Sequence, residues 1–166
     1  RLGIQKRWKQ LLLKIGIARF PLEIPPTFWG LLRGKEPDWK RIVPLLNGNK
    51  VLIRGNHDLK EMTSSLKKMF QDIKDYKEIT DGGRHVIMCH YPMLLYKSSY
   101  NPDCYMLCGH VHTTRENDFL NKWRAELKNS RSLNSHSCGN IINVGCMLPY
   151  MGYTPRTLDE IIKANS

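Results

Sequence analysis

Three short polar runs each follow an apolar stretch: GNHD (55–58), CHYP (89–92) and GHVH (109–112). They concentrate the residue types that hold transition metals. Imidazole nitrogens and an amide oxygen suit Zn, Mn, Fe or Ni. If the apolar stretches are strands ending at one edge, Asn56, His57, His90, His110 and His112 share a pocket. Gly55 and Gly109 permit the sharp turns that aim those side chains back over the sheet. One histidine alone says little, so His85 and His136 are read as ordinary surface or core residues. A zinc-finger reading of Cys104, Cys108, His110 and His112 fails on geometry. The histidines are two apart and Cys108 nearly abuts them, which sends side chains in conflicting directions.

The elements that must position these groups alternate along the chain. KVLIR (50–54), CYMLCGH (104–110) and NIINVGC (140–146) read as buried strands, and YKEIT and RHVIMCH as a pair around the turn DGG. A short helix is expected over 37–46. Another is expected over 59–70, where Leu59, Met62, Leu66 and Phe70 recur at helical spacing. A third, 115–128, turns Phe119, Leu120, Trp123 and Leu127 inward, and a C-terminal helix takes Thr157 as N-cap. The first 20 residues read as a basic amphipathic helix with Trp8, Leu11, Leu12 and Ile15 on one stripe, stopped by PLEIPP. KNSRSLNSHSCGN (128–140) is a polar loop. Strands alternating with helices indicate an α/β domain.

With 166 residues, the chain is long enough for one domain, 1–166, with a real core. Hydrophobic content of 41% and charged content of 25% are those of a globular protein. No apolar run reaches the roughly 20 residues that span a bilayer, so no membrane association is expected. Five cysteines in no small-scaffold pattern read as reduced thiols in a cytoplasmic protein. The net charge of +11 favours polyanionic partners, and nucleic acid is a candidate. Oligomeric state is not legible.

The order GNHD, then a histidine after an apolar strand (MCHYP), then GHVH resembles the calcineurin-like metallophosphoesterases. Residues 38–166 look like the small bacterial and phage members, whereas 1–30 form an atypical N-terminal segment. The resemblance implies a β-sandwich of mixed sheets flanked by helices, holding one or two divalent metals per chain. It implies that Asn56, His90 and His110 bind the second metal and His112 the first. His57 would stand beside the scissile phosphate, with Asp58 orienting it. The implied reaction is hydrolysis of a phosphodiester or phosphomonoester by metal-activated water.

The family also begins with Asp-x-His and Gly-Asp motifs, which are not found here: no Asp precedes Asp38 and no His precedes His57. By spacing, Thr27 falls where the bridging carboxylate is expected, and a neutral hydroxyl cannot replace an anionic bridge between two dications. The chain therefore reads as an N-terminally incomplete or altered member with a compromised first-metal site. The alternative is a catalytically inactive module on the same fold, binding nucleic acid or a protein partner.

Overall fold

The computed structural model describes residues 16–18, 27–29, 35–46, 50–129 and 139–166. The stripe formed by Trp8, Leu11, Leu12 and Ile15, together with His136 and most of the polar loop, lies outside them. Two four-stranded sheets carry the architecture. In the first, β1 (Gly16–Ala18) runs antiparallel to β2 (Thr27–Trp29). Next, β3 (Val51–Ile53) lies parallel to β2, and β4 (Asp72–Lys74) parallel to β3. In the second, β5 (Tyr76–Asp81) and β6 (Arg84–Cys89) form an antiparallel hairpin, and β7 (Cys104–Cys108) and β8 (Ile141–Asn143) follow in parallel. Both sheets are thus mixed. Four α-helices occur among the described residues: α1 (Glu36–Ile42), α2 (Ser64–Lys67), α3 (Arg115–Asn129) and α4 (Leu158–Lys163).

Strand periodicity divides the core. Val51 and Ile53 of β3 meet Val86 and Met88 of β6, Leu107 of β7 and Ile142 of β8 in one cluster between the sheets. Leu52 points the other way and packs with Trp39 and Ile42 of α1 and Leu66 of α2. On the far side of the second sheet, Ile87, Met106 and Ile141 pack with Leu120 of α3. The layers are therefore helix, sheet, sheet, helix. Three buried side chains in a row explain why β3 reads as a continuous apolar run. The β5–β6 hairpin turns at Gly82 and Gly83, whose φ values of 57° and 83° are those of a two-residue loop matched to strand twist.

Several expectations need correcting. Residues 16–18 are strand, not helix. The expected helix over 59–70 is confined to Ser64–Lys67. Phe119 is 64% exposed rather than inward, one residue off the stripe formed by Leu120 and Trp123. The backbone of Thr27 lies back from the strand ends. Its Cα pairs with Val51, four residues before Gly55, about 13 Å short at roughly 3.3 Å per residue.

Candidate metal centre

Each parallel strand that carries a polar run ends at the same rim of the sandwich. Beyond β3, Gly55–Asp58 form a tight turn closed twice. The Asp58 amide donates to the Gly55 carbonyl at 3.1 Å, and the Gly55 amide donates to Asp58 Oδ2 at 2.7 Å. Asp58 is buried, so its carboxylate fixes the turn that presents Asn56 and His57. Arg54 anchors the base of the turn through a bidentate pair with Asp75, at 2.8 and 2.5 Å.

Beyond β6, His90 is 7% exposed, and its carbonyl accepts the Gly109 amide at 3.0 Å, locking the β6 and β7 ends together. Beyond β7, the Val111 amide donates to the Gly109 carbonyl at 2.8 Å, closing a three-residue turn on His110. His110 has φ 65° and His112 φ 45°. Left-handed backbone costs a non-glycine residue on the order of 1–3 kcal/mol and collects at functional sites.

The three ends bring three side-chain atoms of metal-binding type together. His90 Nε2 lies 2.8 Å from Asn56 Oδ1. His110 Nδ1 lies 3.3 Å from that oxygen and 3.3 Å from His90 Nε2. Bonds of about 2.1 Å to one ion would separate ligand atoms by about 3.0 Å at right angles and about 3.4 Å at the tetrahedral angle. The triangle has the dimensions of three ligands on one face of such an ion. Burial, then the nearby His110, His112 and His57 charges, push the His90 pKa down to about 4. Its Nδ1 is buried with no hydrogen-bond partner, which further disfavours a second ring proton. His90 is thus held neutral, and ligation through Nε2 would place its one ring proton on Nδ1. His112 is shifted down by burial and then by His110 and His57.

Of the predicted residues, Asn56, His90 and His110 make direct contact. His57 and His112 stand within electrostatic reach, and Asp58 contacts the Gly55 amide. Among the described residues, no three His, Cys, Asp or Glu side chains are arranged to hold a metal, the present triad being two imidazoles and an amide. His85 belongs elsewhere: Nε2 sits 2.8 Å from Glu78.

Two residues at the site escaped the sequence reading. Tyr91 packs against both imidazoles, its ring centroid 5.1 Å from His90 and 4.6 Å from His110. Its place in CHYP, next to a candidate ligand, was the available signal. Asn143 was hidden at the end of an apolar strand.

No protein-family model and no curated protein matches the sequence. A solved structure of a protein of unknown function, AQ665 from Aquifex aeolicus, is similar, with 28% identity and a TM-score of 0.40 over 67% of this chain and 68% of that one. The functional reading therefore rests on the site's own geometry. Among the described residues, no helix is long and apolar enough to cross a membrane.

Proposed function

We propose that the chain is a metal-dependent phosphoesterase of the calcineurin-like type, hydrolysing a phosphodiester or phosphomonoester. The observation that carries this reading is the convergence of Asn56 Oδ1, His90 Nε2 and His110 Nδ1. These atoms would hold one divalent transition metal, and His112 is the candidate ligand for a second. When bound, such an ion polarises a phosphoryl oxygen and activates water. The chain's own groups do the rest. Exposed His57, on the turn beside Asn56, is placed to protonate a leaving oxygen or to bond a phosphoryl oxygen. Asp58 keeps that turn closed through the Gly55 amide. Tyr91, against His90 and His110, limits the freedom of their rings.

A second reading, a non-catalytic module binding phosphate compounds or a partner, draws on one observation. The charges acting on His90 come from the other imidazoles, with no carboxylate among them. The deciding experiment is hydrolysis of bis-p-nitrophenyl phosphate by purified protein with added Mn²⁺. His57→Ala is expected to lower turnover by on the order of 10²-fold while metal content stays unchanged. Equal rates in parent and variant would assign the activity to a contaminant. Bound metal without turnover would favour the second reading.

A further inference from the structure

We infer that Asn143 is a positioning residue of the candidate centre, holding the main chain of His112 in place from the neighbouring strand end. This rests on the proposed reading of the site only for its consequence, not for its geometry. Asn143 closes β8 and is 3% exposed. Its Nδ2 donates to the His112 carbonyl at 3.1 Å and to Asn117 Oδ1 at 2.9 Å, and its Oδ1 accepts the Gly145 amide at 2.9 Å. One end of the side chain must therefore donate twice and the other accept, which only a carboxamide of this length provides. The bond to His112 falls on a residue with φ 45°, in the conformation that needs outside support.

The surroundings fit this role. A Cβ at Gly145 would lie 3.1 Å from Asn143 Oδ1 and 2.9 Å from Met147 Sδ, so a side chain there would crowd the amide and make it shift. The Asn143 carbonyl accepts the Tyr150 hydroxyl, tying the end of β8 from its other side. Asn117 stands in the first turn of α3, so one buried side chain joins β8, α3 and the GHVH turn. The bond reaches the main chain of His112, leaving its imidazole available to the site.

The test is imidazole NMR of the metal-free protein, followed by Mn²⁺ titration, on parent, Asn143→Ala, Asn143→Asp and Asn117→Ala. Asn143→Ala is expected to move the His112 ring signals and leave those of His85 in place. Asn143→Asp keeps the size and the acceptor for Gly145 but turns an acceptor toward the His112 carbonyl. It is expected to move His112 as well, and it decides the matter if Asn143→Ala does not fold. Asn117→Ala should leave His112 as in the parent. In the titration, the metal equivalent that depends on His112 should weaken about 10-fold or more in both Asn143 variants. Parent-like His112 signals in a folded Asn143 variant would overturn the inference. So would Asn117→Ala reproducing the Asn143→Ala shifts, since α3 would then be the support. If the parent binds no Mn²⁺, the phosphoesterase reading fails, while the metal-free spectra still decide the role of Asn143.

Discussion

At the scale of single residues, the fold resists protonation of His90. His90 has its second nitrogen buried without a partner, and burial holds its pKa near 4, against an ordinary value of 6.5. An unfolded chain therefore takes up a proton between those values that the folded chain refuses. Stability of the metal-free protein is full above about pH 6.5 and falls as pH drops toward 4, where both states are protonated. Urea denaturation of chelator-treated protein across that range should show this slope, and His90→Asn should flatten it. Identical slopes would mean that His90 does not resist protonation. The proposed ligand set gives a second expectation. Replacing His110 by Ala leaves two corners of the triangle, so Mn²⁺ affinity should fall by on the order of 10-fold or more, read by elemental analysis after dialysis. Metal content equal to the parent's would remove His110 from the set. The polar runs after apolar strands pointed in the sequence to Asn56, His90 and His110, which the structure brings into contact, and to His112, which stands within electrostatic reach. Asn143 was not legible, since its role lies in hydrogen bonds across the fold rather than in a motif.

At the scale of elements, apolar runs reported strands well and helical spacing reported helices less well. β3, β7 and β8 are buried at most positions and β6 through its centre, Val86–Met88, and their sequences say so. β4 was missed because it is an edge strand with a single apolar residue, Ile73, between Asp72 and Lys74, the charged pattern that protects a free edge. The four apolar residues of 59–70 do pack on the Trp39 cluster, but Leu59 and Met62 reach it from the irregular stretch that leads away from the Gly55–Asp58 turn. Thr63 then starts the helix by accepting the Leu66 amide. Periodicity cannot distinguish a loop that follows the core from a helix that does. The C-terminal helix was read correctly through its cap. Thr157 and Glu160 form a reciprocal capping box, and Leu158 and Ile161 behind it sit in the cluster between the sheets. Thr157→Ala should therefore cost about 1 kcal/mol in chemical denaturation, without changing metal content. A loss near zero would show that the core contacts hold α4 unaided.

At the scale of the molecule, the +11 charge and the site lead to different expectations. By sequence, Lys67, Lys68, Lys74, Lys77, Lys122, Arg124 and Lys128 lie on polar faces of the segments around the pocket, where they form either one basic surface for nucleic acid or a dispersed, solvated coat. Lys74 and Lys77 instead pair with Asp72, Arg124 bonds the Gly139 carbonyl and is partly buried, and Lys128 reaches the Asn165 carbonyl. With four of the seven so engaged, labelled single- and double-stranded oligonucleotides should show no saturable binding at about 150 mM salt, and saturable binding there would restore nucleic acid as a partner. The site, by contrast, spans both sheets: Asn56 follows β3 of the first, while His90 and His110 follow β6 and β7 of the second. A metal bound by all three would join the two halves of the sandwich at their rim, adding to the apolar cluster that joins them inside. Such an ion binds the folded state alone, so at 100 times its Kd it should add about 2.7 kcal/mol. For a chain of this size that corresponds to a rise in Tm of roughly 5–11 °C. Asn56→Ala removes the only ligand contributed by the first sheet among the described residues, and should abolish most of that rise while leaving the metal-free Tm close to the parent's. An equal Mn²⁺-dependent shift in parent and variant would show that the ion sits on the second sheet alone and does not join the two.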